Sequence, residues 1–254
     1  MTEVPVRDAS TVVLLRDAAD GLEVWLLTRV TQMAFAGGMA VFPGGRVDAA
    51  DTDLPFVGGS ADSAATRFAC APEQARALLG AAVREVFEET GVLLTVPVAD
   101  LSEARSDVEA GRVSFGDLLR EHDLRIDGAS VQPWSRWVTP AGEVRRYDTR
   151  FFVAAMPADA HAQDVTTESS SAGWFGVGAA LESAQRGELG MLPPTVMTLA
   201  SLVRYASVAD VLSAAGTRSL DAVRPTVEKT DDGGYLANLP DGTTFALPSS
   251  LFPA

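Results

Sequence analysis

Residues 72–91 read PEQARALLGAAVREVFEETG, a stretch that carries its own helix start and stop. Pro72 suits a first turn, where its missing N–H is not needed, and Glu73 meets the positive end of the helix dipole. Gly91 follows the last turn, where glycine most readily takes the left-handed conformation that ends a helix. On a helical wheel Leu79, Val83, Val86, Phe87 and Thr90 share one side, and Glu85, Glu88 and Glu89 share another. Offsets of three and four residues bring those carboxylates together, which costs a few tenths of a kcal/mol per pair on an isolated helix. The dipole adds to the cost at this C-terminal end. Something must offset it: Arg84 bridging to one carboxylate, or a divalent ion taking oxygens from several. By itself the ridge also reads as a solvated acidic face.

Around this helix the chain alternates strands and helices. TVVLL (11–15) and EVWLLT (23–28) are strand-like, with Asp20-Gly21 as the turn between them. Residues 48–71 mix small, acidic and glycine residues without a clean period and are expected as loop and short helix. Val92-Leu93-Leu94 starts another strand, and 101–127 is expected to be largely helical, with Phe115, Leu118 and Leu119 as its apolar face. WSRWVTP (134–140) leads to the strand DTRFFVAAM (148–156). SSAGWFGV is strand-like, AALESAQRG is a helix stopping at Gly187, and Pro193-Pro194 opens another. Turns at Asp232-Gly233-Gly234 and Asp241-Gly242 mark a hairpin-rich tail. The pattern predicts a mixed α/β domain rather than a bundle.

Charge limits the partners. The 254 residues carry a formal net charge of -14, and Lys229 is the only lysine. No basic tract is present, so nucleic acid and anionic membranes are not expected partners. The lone Cys70 excludes an intrachain disulfide framework and a CxxC site. The start MTEVPVRDAS lacks a basic stretch followed by an apolar core, and no apolar run reaches membrane-spanning length. A cytoplasmic location is the expectation. His122 and His161 lie in polar stretches without a GxSxG elbow, so a serine-histidine triad is not expected.

Upstream of the helix stands FPGGRVDAAD (42–51). Gly44 and Gly45 let backbone come close to a bound group, and Asp48 and Asp51 follow. The pair also reads as an ordinary turn. Taken with the acidic helix it suggests a loop that completes a diphosphate site.

Gly45, Asp51 and then Arg84-Glu85-Val86-Phe87-Glu88-Glu89-Thr90-Gly91-Val92 resemble the signature of the Nudix hydrolases. The second half of that signature matches at every specified position. Asp51 stands where the family has its first glutamate, and 32 residues separate it from Arg84 where the family has seven. An insertion at that place is known in the peroxisomal-type coenzyme A and acyl-coenzyme A diphosphatases. LLTRVTQMAFAGGMAVFPGG (26–45), WSRWVTPAGEVRRYDTRFF (134–152) and MLPPTVMTLASL (191–202) are similar to that branch.

The resemblance implies an α/β/α sandwich around a mixed sheet. The Nudix domain would span residues 1–205 with an insertion at 52–78, and 206–254 would form a C-terminal extension. It implies a Mg²⁺- or Mn²⁺-dependent diphosphatase in which Glu85, Glu88 and Glu89 hold the metals and Arg84 orients them. Water attacks phosphorus without a covalent intermediate, because bound metals supply both charge stabilisation and a more acidic water. Glu168, six residues before Trp174, matches a family glutamate that binds metal or activates water; a surface loop glutamate is the other reading, and Asp48 stands similarly. The implied partner is a small diphosphate, with coenzyme A or an acyl-coenzyme A foremost. ADP-ribose, NADH and dinucleoside polyphosphates are alternatives, as is a non-catalytic nucleotide-binding domain. A homodimer is left open.

For the extra phosphate of coenzyme A the candidate cations are Arg29, Arg46, Arg136, Arg145, Arg146 and Arg150, beside the loop glycines Gly44 and Gly45. Trp134, Trp137 and Phe35 either flank a base or pantetheine arm or pack in the core.

Overall fold

The computed structural model describes residues 4–30, 38–57, 60–163, 169–231 and 233–247. In chain order the strands are β1 (Val6–Ala18), β2 (Gly21–Arg29), β3 (Ala40–Val41), β4 (Gly44–Arg46), β5 (Thr95–Val96), β6 (Arg125–Ile126), β7 (Val131–Val138), β8 (Arg146–Ala155), β9 (Ser169–Gly176), β10 (Ala222–Val223), β11 (Thr226–Lys229), β12 (Tyr235–Asn238) and β13 (Thr244–Leu247). The helices are α1 (Ser60–Phe68), α2 (Pro72–Thr90), α3 (Arg105–Glu109), α4 (Phe115–Glu121), α5 (Val177–Gln185), α6 (Pro193–Leu202) and α7 (Val208–Ala215).

Among the described residues the central sheet has eight strands, running β10-β7-β8-β1-β2-β3, with β4 also on β1 and β9 on β2. Its pairing is mixed: β1 runs parallel to β8 and antiparallel to β2 and β4. Because successive side chains of a strand point to opposite faces, one run of residues feeds two cores. Val12, Leu14, Phe152 and Ala154 pack with α1, α2 and α4. Val13, Leu15, Phe151 and Val153 face the other way, against α5, α6 and α7. The result is the expected three-layer α/β/α sandwich.

Helix α2 begins at Pro72 and ends at Gly91, whose φ of 75° carries its N–H back to the Phe87 carbonyl at 2.8 Å. Its apolar side is fully buried at Leu79, Val83, Val86 and Phe87. The Ser10 hydroxyl donates to the Leu78 carbonyl at 2.7 Å and ties α2 to the middle of β1. That tie helps fix the height of the acidic ridge against the sheet.

The predicted β1–β2 hairpin is present, with Ala18 opposite Gly21. Within 48–71 the chain forms a short 3-10 turn, Ala49–Asp53, and helix α1. Two expectations need correction. The apolar run Val92–Leu94 is buried but is not itself a strand, which starts only at Thr95. Residues 101–127 hold two short helices separated by a turn rather than a largely helical segment, and end in β6. The tail forms the antiparallel sheet β11-β12-β13, with Gly233 and Gly242 at positive φ in its two turns. Asp232 lies outside the described residues. Among the described residues no helix is long and apolar enough to cross a membrane.

Candidate active site

The C-terminal half of α2 lies beside β4, and the two are held together by charge. Arg84 is nearly buried and contacts three carboxylates and a carbonyl, with the Asp48 carboxylate further off at 3.9 Å. Its Nε and one terminal nitrogen grip both oxygens of Asp51, at 2.8 and 3.0 Å. The other terminal nitrogen donates to Glu85 Oε1 at 2.9 Å and reaches Glu88 at 3.3 Å. A further bond, 3.0 Å to the Arg46 carbonyl, joins it to β4. Asp51 is 1% exposed and also accepts from the Asp48 N–H at 2.8 Å. Asp51 is therefore the buried clamp for Arg84.

The three ridge glutamates differ in setting. Glu89 is buried, and its Oε2 accepts the Gly44 N–H at 2.9 Å. Glu85 lies so close to Gly45 that a β-carbon there would fall on its carboxylate, so only glycine lets β4 approach. Burial pushes the Glu85 carboxyl up to about 7, with Arg84 pulling back and Glu88 adding to the rise. Burial also raises Glu88. For Arg84, burial lowers the pKa, but the bond to Asp51 and the surrounding carboxylates more than reverse this, holding it above its ordinary value. As the side chains stand, no group of three or more His, Cys, Asp or Glu among the described residues converges in a metal-binding arrangement. Arg84 spans the gap between Glu85 and Glu88 instead.

These groups open into a cleft of about 920 Å³. Its lining brings together Arg84, Glu85, Glu88 and Glu89 with Gly44, Gly45 and Asp48. The arginines Arg29, Arg46, Arg145 and Arg146 line it as well. Only Glu168 of the candidate catalytic residues is missing; it lies outside the described residues, as does Phe35.

Two arginine candidates belong elsewhere. Arg150 is 2% exposed and pairs with Asp8 and Asp148, and Arg136 forms a two-pronged bridge to the same Asp148 at 2.9 and 2.6 Å. Register places Arg136 opposite Arg150 on β7 and β8, and the carboxylates are there to neutralise that pair. Trp134 is a core residue, wholly buried against Tyr205 and the Arg218 guanidinium. His122 and His161 are exposed.

Three residues in or beside the cleft carry no motif. Arg7 and Glu109 line it. Arg105 donates to the Glu88 carbonyl at 2.8 Å and to Glu109 at 2.6 Å, placing a cation at the negative end of α2. Helical spacing of Arg105 and Glu109 was the one available signal, and it does not reveal that the pair docks on α2.

Known proteins resemble this chain in sequence and in fold. The profile described as the NUDT19 Nudix domain matches residues 60–202, from α1 to the end of α6. The human acyl-coenzyme A diphosphatase NUDT19 is 28% identical over 92% of this chain and 75% of its own length. Its Xenopus laevis counterpart is 25% identical over 83% and 68%. Among solved structures, a NUDIX hydrolase from Alicyclobacillus acidocaldarius superposes with a TM-score of 0.70 at 26% identity, covering 83% of this chain and 96% of that one. With the profile covering more than half the chain and the acidic helix intact, this chain belongs to the Nudix hydrolases, in the family of the NUDT19 Nudix domain, and is a pyrophosphohydrolase of that type.

Proposed function

We propose that the enzyme uses Mg²⁺ or Mn²⁺ to hydrolyse the diphosphate of coenzyme A or an acyl-coenzyme A, giving phosphopantetheine or its acyl form and adenosine bisphosphate. The observation that carries this reading is the pairing of three carboxylates around one guanidinium, with Glu89 beside them on the same helix, and five further arginines lining the same cleft. Arg84 alone does not balance the three carboxylates it contacts, and Glu89 adds a fourth to the same helix face, so that face favours an additional positive ion. Oxygen donors of this kind suit hard divalent ions. Glu85, Glu88 and Glu89 would hold them. The chemistry such an ion supplies when bound is polarisation of the diphosphate oxygens and a lowered pKa for water.

The remaining work falls to the chain itself. Arg84 fixes Asp51, Glu85 and Glu88 in one cluster, and the Gly44 N–H fixes Glu89. Arg29, Arg46, Arg145 and Arg146 offer forked donors to phosphate oxygens and orient the diphosphate. Water's oxygen bonds to phosphorus, the bridging P–O bond breaks, and the water proton passes to a carboxylate, for which Glu168 is the candidate. The acidic remainder of the surface favours a small-molecule partner over nucleic acid.

The printed activity of the named relatives, acyl-coenzyme A diphosphatase, supports coenzyme A over other diphosphates. The test is kcat/KM side by side for coenzyme A, dephospho-coenzyme A, ADP-ribose and NADH, with Mn²⁺ or Mg²⁺. Coenzyme A should exceed its dephospho form by about tenfold or more, a difference of about 1.4 kcal/mol in transition-state binding. Equal values for those two, or a tenfold lead for ADP-ribose, would overturn the coenzyme A assignment and leave the diphosphatase assignment intact.

A further inference from the structure

The catalytic cleft has a second, apolar chamber beside it. A cavity of about 240 Å³ lies under the tail sheet and borders the same three side chains, Thr11, Tyr147 and Thr149, that line the cleft. The strand registers explain the continuity. On the face of β1 and β8 that meets α5 to α7, successive pairs are Arg7 with Tyr147, Ala9 with Thr149, Thr11 with Phe151, and Val13 with Val153. Polarity therefore falls in steps from a charged mouth to a hydrocarbon core. The hand-over occurs at Thr11, the register partner of Gly44, whose N–H holds Glu89.

Positive charge divides the two spaces. Arginines surround the cleft, whereas among the described residues no Arg, Lys or His lines the cavity and Glu143 is its one carboxylate. Its walls come from Trp137 and Phe151 on the sheet, the Pro193-Pro194 start of α6, and Val227, Ala237 and Leu247 of the tail strands. At about 240 Å³ it falls below the ~300 Å³ at which pockets for whole small ligands begin, so it suits one arm of a larger molecule.

Resting on the coenzyme A reading above, we infer that this cavity is the subsite for the uncharged acyl-thioester arm of the substrate, and that the tail sheet β11-β12-β13 exists in part to wall it. The anionic nucleotide end then stays among the arginines of the cleft. The scissile diphosphate sits in the cleft next to the acidic helix, and the pantetheine arm spans from it to the junction. Acyl-chain selectivity becomes a property of the tail rather than of the Nudix signature.

The half-buried Val227 is the handle. We compare kcat/KM for free coenzyme A, hexanoyl-coenzyme A, lauroyl-coenzyme A and ADP-ribose in the wild type, Val227→Trp and Val227→Ala, checking each variant's melting temperature. The wild type should favour hexanoyl-coenzyme A over free coenzyme A by roughly tenfold, as expected when several methylenes enter an apolar pocket. Val227→Trp should bring that ratio close to one, and Val227→Ala should move the preference toward lauroyl-coenzyme A. Should Val227→Trp not fold, the Val227→Ala shift in chain preference decides alone. Ratios that stay at the wild-type value in folded variants would overturn the inference. An equal fall for all four substrates would overturn it too, marking the cavity as a site for the shared adenosine. Cleavage of ADP-ribose with none of any coenzyme A species would instead defeat the coenzyme A reading, and the acyl subsite with it.

Discussion

Arg84 is the residue on which the others depend. Its fork takes both oxygens of a buried aspartate on one side and reaches two glutamates on the other. A lysine could not replace it, since an ammonium has no planar pair of donors to match a carboxylate. Asp51→Asn keeps the size of the side chain but removes its charge and turns an amide donor toward the guanidinium. Leaving a buried cation half-paired costs about 3 kcal/mol. Urea unfolding should register that loss, and turnover should fall as Arg84 lets Glu85 and Glu88 move. The clustering of Glu85, Glu88 and Glu89 was legible in sequence, because a helix of 3.6 residues per turn dictates it. The role of Asp51 was only half legible: spacing marks it as the signature's acid, but its burial depends on a long-range approach of 33 positions. Arg136 and Arg150 show the reverse case. Alternation along β8 puts Asp148 on the same face as Arg150, but nothing local tells Arg150 that it will also meet Asp8, nor Arg136 that it will meet Asp148, since sheet register decides both.

Helix α2 carries the acidic ridge, and its ends set where that ridge lies. Gly91 at φ 75° returns the chain, and Ser102 stands within 3.3 Å of where a β-carbon would be. Gly91→Ala therefore combines left-handed backbone strain with a close contact and should cost about 1–2 kcal/mol. Denaturant titration checks this, and a loss below about 0.3 kcal/mol would show that the helix end relaxes without strain. Caps are local features, so Pro72 and Gly91 can be read directly from the chain. Residues 92–94 cannot be read so well. A short apolar run fits a strand or a buried connector equally, and tertiary packing here makes it a connector. Likewise Phe115, Leu118 and Leu119 do form a buried helical face, but α3 ends at Glu109 and a turn intervenes. The carbonyl of Glu88 at the end of α2 is then covered by Arg105, an arrangement that only the folded chain brings about.

Taken together, the molecule is a sandwich whose sheet serves two purposes. One face seats the acidic helix through Ser10 and Leu78; the other runs from the arginine-lined cleft toward a hydrocarbon interior. The divalent-ion binding proposed above would couple to folding as well as to catalysis. A ligand that binds only the folded state at a hundred times its dissociation constant adds about 2.7 kcal/mol of stability. Saturating Mn²⁺ should thus raise the melting temperature measured by scanning calorimetry, and Glu89→Gln should shrink that rise. No shift with Mn²⁺ or Mg²⁺ would argue against ion binding at Glu85, Glu88 and Glu89. The most direct test of the acidic helix as the seat of catalysis is turnover by Glu89→Gln on the best substrate of the diphosphate panel at saturating Mn²⁺. Losing a group that helps hold several kcal/mol of transition-state stabilisation should lower kcat by about a hundredfold or more, with melting in chelator close to wild type. A kcat within about threefold of wild type would contradict the assignment, because no group essential to the transition state is lost at so small a cost.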